Sequence, residues 1–199
     1  MNLKASEAEN RDYLLEKIKI KIAKSLPKNI LIEKEVPVPY KHIYLPKAIT
    51  NELEIWCFKQ DICVFEELFH KDIKYKDAKI IDSEKKEILN VKLEKDSAQN
   101  SHHVGLPYVI IETKMGKSIN THELLAYAQK VQMIKTIFPY VEYFLLFFGK
   151  SPARSYRHGV DFDEIIELDD LTDSTIDLIK DKITIAYKKS LESIKNIFA

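Results

Sequence analysis

The sequence predicts a single α/β domain, spanning residues 1–199 and built around a mixed central sheet. Three observations favour this class. Two apolar runs, at residues 106–111 and 143–148, have the length of buried strands. Two other stretches open with capping boxes and continue with apolar residues at helical spacing. The resulting order is helix, three strands, helix and strand, and a chain of this length can bury a real core.

The first helix is predicted from Ser6, because Ser6 and Glu9 form a capping-box pattern before an apolar-periodic stretch. Residues 17–22 also alternate in the manner of a strand. The capping box and the uninterrupted length favour a helix, which Pro27 ends. Its core stripe is formed by residues that recur every four positions, Leu14, Ile18, Ile22 and Leu26.

Two strands are predicted next, at residues 29–44 and 53–65. The first contains two prolines, which indicate an edge or a bent strand. The second is rich in aromatic and aliphatic residues. Residues 66–105 are charged, with only weak alternation, and we interpret them as an insertion between the second and third strands, with a helix or hairpin of its own.

The third strand is predicted at residues 108–115 and the fourth at residues 141–148. Between them, the pattern from Asn120 to Glu123 starts a second helix, which Pro139 ends. A short apolar stretch follows. Residues 170–199 carry apolar residues at helical spacing and predict a C-terminal helix.

Composition and charge limit the function classes. The 31 basic and 31 acidic residues cancel, which argues against a coat protein that binds nucleic acid through charge alone. The apolar runs are too short to span a membrane, and the first residues lack the apolar core of a secretion signal. Cys57 and Cys63 match no zinc pattern and are expected to be reduced core thiols. We therefore expect a cytoplasmic protein that does not interact with membranes.

Charged residues at the end of the third strand are the strongest functional signal. Glu112 and Lys114 follow a run that is apolar on both faces, and burying a charge is costly unless it is paired or bound to a metal. Side chains two apart on a strand share a face. If Asp61 ends a neighbouring strand, two carboxylates and an ammonium meet there. Such a group suits a divalent cation with oxygen ligands.

Asp61 and the Glu112-Thr113-Lys114 sequence resemble the active-site motif of the PD-(D/E)xK nuclease superfamily, the restriction-endonuclease-like enzymes. Two departures are that Gln60 replaces the proline before Asp61 and that the two acidic positions are 51 residues apart (112 − 61). The resemblance implies an αβββαβ core. It also implies catalytic roles for Asp61, Glu112 and Lys114, with Mg²⁺, or Mn²⁺ in its place, held by Asp61, Glu112 and the Thr113 carbonyl.

Other candidate residues depend on their placement relative to this motif. Glu9 resembles the first-helix glutamate that several superfamily members point at the metal, although its capping role competes, and Glu7 and Glu16 stay open as alternatives. Lys130, on the second helix, is expected to be exposed. Basic residues near the predicted sheet end are candidate phosphate contacts: Lys117, Arg154, Arg157 and His158.

The predicted function is metal-dependent hydrolysis of DNA by an endonuclease of the restriction-enzyme kind. Cutting both strands of a duplex requires two sites, so a symmetric homodimer is expected. Two alternatives stay open. One is a catalytically inactive DNA-binding or assembly module with the same fold, and the other is a related nuclease acting on RNA or on branched or damaged DNA.

Overall fold

A computed structural model of the chain describes residues 2–44, 53–67, 78–88, 105–116, 119–153, 155–158 and 161–198. Within these ranges the chain forms helices and the strands of a mixed sheet, which confirms the predicted α/β class. The elements, in chain order, are α1 (Glu7–Ile22), β1 (Ile30–Tyr44), β2 (Leu53–Glu67), β3 (Ala78–Asp82), β4 (Glu87–Ile88), β5 (Gly105–Met115), α2 (Thr121–Ile137), β6 (Glu142–Phe148), α3 (Ser155–His158), β7 (Glu164–Leu168) and α4 (Asp173–Phe198).

The strands of the described residues belong to one mixed sheet. The order along the sheet is β4-β3-β2-β5-β6-β7, and β1 pairs with β2 outside this path. β2 runs antiparallel to both β1 and β5, whereas β5, β6 and β7 are parallel to one another. Because parallel strands need a crossover connection, α2 joins β5 to β6.

Helices cover both faces of this sheet. The buried residues of α1 and α4 share one apolar cluster with β5 and β6 residues such as Ile111 and Leu146. The buried residues of α2 share a second cluster with Ile110 and Leu145, which are the alternate residues of the same strands. β5 and β6 are therefore buried on both faces, as their unbroken apolar runs predict.

The structure also decides between the two interpretations of residues 17–22. They are helical, and the two isoleucines of the predicted core stripe, Ile18 and Ile22, are buried. Ile20, which a strand pattern would place beside them, is 67% exposed. Apolar packing at helical spacing therefore outweighs the local alternation.

The predicted insertion contains a hairpin within its described part. β3 and β4 are antiparallel and joined by a turn at residues 83–86, and β3 extends the sheet by pairing in parallel with β2. Residues 68–77 and 89–104 lie outside the described residues. Cys57 and Cys63 are buried and not joined by a disulfide, as predicted. None of the helices in the described ranges is both long enough and apolar enough to cross a membrane.

Replacing Gly116, the residue directly after β5, by alanine is expected to destabilise the fold. A Cβ atom at this position would lie 2.1 Å from the backbone carbonyl oxygen of Lys150, so the backbone would have to move. Overpacking of this kind costs about 1–3 kcal/mol. Urea denaturation should show a lower midpoint at an unchanged slope. An unchanged midpoint would mean that the two segments do not approach so closely.

Candidate active site

Glu112 and Lys114 lie on the side of β5 that faces α2. They continue the alternation of Ile110, which packs in the α2 cluster, and the Glu112 side chain is 6% exposed. Lys114 Nζ lies 4.7 Å from the ring centroid of Tyr127, a residue of α2. The strand thus carries a buried carboxylate and a largely buried ammonium side by side, as predicted from their spacing.

Asp61 lies where the side-chain alternation of β2 breaks. Ile62 packs in the α1 and α4 cluster, and regular alternation would place the side chain of Gln60 on the same face. Gln60 instead accepts a hydrogen bond of 2.6 Å from Tyr143, a residue of the α2 cluster. On the neighbouring β1, Glu35 has a positive φ of 54° at the same level. The irregularity leaves the Asp61 carboxylate within hydrogen-bonding distance of both α1 and β5.

The Asp61 carboxylate accepts hydrogen bonds from β5 at the point where the backbone pairing of β2 with β5 ends. The regular pairing of this part of the ladder extends to Ile62 and Ile111. Beyond it, the amide N–H and the hydroxyl of Thr113 both donate to Asp61 Oδ2, at 2.8 Å and 2.9 Å. Arg11 Nη1 of α1 donates to Asp61 Oδ1 over 3.3 Å. Asp61 is therefore fixed from two sides, next to Glu112.

The ammonium of Lys114 lies at the centre of four oxygen atoms. Its Nζ is 2.6 Å from the Thr113 carbonyl oxygen, 3.0 Å from Glu112 Oε1, 3.4 Å from Glu7 Oε1 and 3.6 Å from Asp61 Oδ2. Three of these groups are the metal ligands predicted from the motif. A cation therefore already lies among them, and that cation is the lysine itself.

Glu7, and not Glu9, is the first-helix glutamate at the site. Glu9 accepts a hydrogen bond of 2.9 Å from the Ser6 hydroxyl, and its amide donates to that hydroxyl, so it takes part in the cap that Ser6 forms on α1. The structure thus favours the capping role over the predicted metal role for Glu9, and it places the open alternative Glu7 at the site, where its other carboxylate oxygen accepts from the Met115 amide. Glu7 and Arg11 are four residues apart, and this spacing on a helix could have indicated that both face the sheet.

Burial and charge repulsion raise the pKa of Glu112 from its ordinary 4.5 to about 7. Desolvation is the larger cause, and the nearby charge of Asp61 adds to it, while Lys114 opposes both. Burial alone would lower the pKa of Lys114, but the attraction of Glu112 and Asp61 outweighs it and the pKa is raised. The lysine is therefore charged at neutral pH, whereas Glu112 is close to its own titration point.

Lys130 of α2, which is predicted to be exposed, is a third cation at this site beside Lys114 and Arg11. Its Nζ lies 4.9 Å from the Tyr127 ring centroid and 5.4 Å from that of Phe58. Its side chain is only 18% exposed. Lys130 and Tyr127 are three residues apart on α2, so the helical spacing indicated a shared face. What the sequence did not indicate was that this face lies over Glu112.

The oxygen-rich group suits a hard divalent cation in its chemistry but not in its present arrangement. Three carboxylates and a carbonyl are the ligands that Mg²⁺ and Mn²⁺ prefer. Within the described ranges, no three His, Cys, Asp or Glu side chains are already arranged around a metal position. The Lys114 ammonium lies among the oxygens instead. A metal bound by Asp61, Glu112 and the Thr113 carbonyl would therefore have to displace the ammonium.

The side chains of the four predicted phosphate contacts lie outside what the structure describes. Arg157 and His158 fall in α3, which follows β6, but their side chains are outside the described part of the chain. Lys117 and Arg154 are themselves outside the described residues. All four stay predictions.

No protein-family model matches the chain, and no curated protein matches it.

In metal-free protein, we expect the carboxyl group of Glu112 to titrate near pH 7. Its folded pKa lies above the unfolded one, so the folded state binds the extra proton and stability should fall as pH rises from about 4.5 to about 7. Mg²⁺ should lower this pKa, because a nearby cation favours the carboxylate. Side-chain ¹³C NMR, assigned with the Glu112→Gln variant, measures both values. Titration near the ordinary 4.5 without metal would contradict the buried placement.

Proposed function

We propose that this chain is a metal-dependent nuclease that hydrolyses phosphodiester bonds in DNA. The observation that carries the proposal is the convergence of Asp61, Glu112 and the Thr113 carbonyl on one point, with the Lys114 ammonium among them. Burying charged groups has a large desolvation cost, and well-packed apolar residues in their place are often as stable. A buried cluster of charges is therefore seldom explained by stability alone. The proposed core consists of α1, β1, β2, β5, α2 and β6, in the αβββαβ order of restriction-endonuclease-like enzymes.

In the proposed mechanism, Asp61, Glu112 and the Thr113 carbonyl would hold Mg²⁺, and Glu7, which also contacts the Lys114 ammonium, would be the candidate for a further oxygen ligand. The metal would polarise the scissile phosphate and lower the pKa of its bound water. Arg11 and Thr113 keep the Asp61 carboxylate in place by hydrogen bonds to its two oxygens. Lys114, displaced from these oxygens, would orient the attacking water or offset negative charge developing at phosphorus.

The proposal is tested by incubating the purified chain with supercoiled plasmid in Mg²⁺, in Mn²⁺ and in EDTA. Nicking or linearisation with either metal, and none in EDTA, is expected. Parallel reactions on linear duplex, branched duplex, single-stranded DNA and RNA identify the substrate class. Sedimentation with and without DNA tests the proposed homodimer, because a duplex cutter requires one site per strand.

Plasmid binding with no cleavage under any of these metals would favour the inactive DNA-binding module. Cleavage that persists undiminished in EDTA would contradict the metal-dependent mechanism.

A further inference from the structure

Lys130, on α2, pairs with an acidic residue from a separate part of the fold. Its ammonium forms an ion pair with Glu84, which lies in the turn between β3 and β4. The turn itself is fixed, because the amide of Glu84 donates to the buried Asp82 carboxylate over 2.9 Å. Glu84 is 52% exposed at its side chain, whereas Lys130 is 18% exposed. The anion is therefore the accessible and replaceable partner, and the cation is the fixed one.

The position of Lys130 does not depend on Glu84 alone. Its ammonium also lies over the rings of Tyr127 and Phe58, and such contacts attract a cation to the ring face. Burial lowers the pKa of Lys130, but attraction to Glu112 and Glu84 outweighs it, so the residue stays charged. An ion pair with an exposed partner contributes little to stability. Exchange of Glu84 for another anion would therefore cost the fold little.

The same ring links Lys130 to the proposed active site. Lys114 Nζ and Lys130 Nζ lie 4.7 Å and 4.9 Å from the centroid of Tyr127. The negative charge of Glu112 is the largest of the attractions that raise the pKa of both lysines. A substrate backbone that brings one phosphate to Glu112 would bring a neighbouring phosphate within range of Lys130.

We propose that Lys130 binds a backbone phosphate next to the scissile one, and that Glu84 is the internal anion which this phosphate replaces. This inference rests on the proposed function, since it assigns a substrate contact at the same site. It makes Glu84 a competitor of the substrate and Lys130 a substrate-binding residue.

The test measures binding without cleavage. A fluorescein-labelled DNA duplex of about 20 base pairs is titrated in EDTA, by anisotropy, with the whole chain and its variants between about 50 and 200 mM salt. Lys130→Gln is expected to weaken binding by about three- to tenfold and to lower the salt slope by about one. Lys130→Arg should retain binding. Glu84→Gln should tighten binding, and this gain should vanish in the Lys130→Gln background.

Lys135→Gln is the matched control, because Lys135 lies on the same helix and is paired with Asp163 over 2.7 Å, in a contact separate from Tyr127. The inference is overturned if Lys130→Gln binds no more weakly than this control. An equal gain from Glu84→Gln with and without Lys130 would also overturn it, as would a wild-type chain that binds no duplex.

The two proposals fail in different ways. Binding that depends on Lys130, without cleavage in any metal, supports the phosphate contact and refutes the nuclease. Metal-dependent cleavage with unchanged affinity in Lys130→Gln supports the nuclease and refutes the phosphate contact.

Discussion

Replacing Glu112 by glutamine is expected to reduce metal-dependent DNA cleavage by about a thousandfold, or about 4 kcal/mol of transition-state stabilisation. Glutamine keeps the volume of the side chain but removes the charge that would hold the cation. Folding should survive, because Lys114 keeps Asp61, Glu7 and the Thr113 carbonyl as partners. Single-turnover cleavage of a labelled duplex in Mg²⁺ measures the effect.

Glu142→Gln is the matched control for this change. Glu142 lies at the start of the adjacent strand β6, is 8% exposed and pairs with Lys189 over 2.8 Å. It is thus a second buried carboxylate with a lysine partner, away from the oxygen group at Lys114. Equal loss of cleavage in both variants would indicate a general effect on the fold and would contradict a specific role for Glu112.

Replacing Lys114 by methionine is expected to separate metal binding from catalysis. Cleavage should fall by about a hundred- to a thousandfold, because the cation that offsets charge at phosphorus is lost. Affinity for Mn²⁺ or Ca²⁺ should rise, because the ammonium no longer competes for the oxygens of Asp61 and Glu112. Isothermal titration calorimetry measures the affinity, and a fall in affinity would contradict the competition.

The same variant should be unstable without metal. Removing one partner of a buried ion pair leaves uncompensated carboxylates, at a cost of about 3–5 kcal/mol. A divalent cation should restore most of this stability, because it replaces the missing positive charge. Thermal unfolding in EDTA and in Mg²⁺ measures both effects. Lys182→Met, in which a lysine of α4 loses its pairing with Glu164, is the control and should respond little to metal.

Local patterns were enough to predict most of the helices and strands and to place Glu112 and Lys114 side by side. The apolar run before Glu112 identified β5, and two-residue spacing placed Lys114 beside it. The capping boxes identified the starts of α1 and α2, which the structure confirms. These predictions succeeded because each depends on residues that are close in the sequence.

Features set by distant contacts were predicted less well. The position of Asp61 depends on the break in alternation opposite Glu35, and no periodicity in β2 alone reveals it. Choosing between Glu7 and Glu9 required knowing which side of α1 meets β5. Lys130 was assigned to the surface because its contact with the site depends on how α2 lies across the sheet. The pairing of β3 with β2 depends likewise on tertiary packing.

The most direct test of the site is a crystal of the chain soaked in Mn²⁺ and measured for anomalous scattering. The proposed function predicts a peak between the carboxylates of Asp61 and Glu112, within coordination distance of the Thr113 carbonyl, and a Lys114 ammonium moved away from that point. A saturating soak that leaves Lys114 in contact with all four oxygens, with no peak between the carboxylates, would contradict the metal-dependent nuclease.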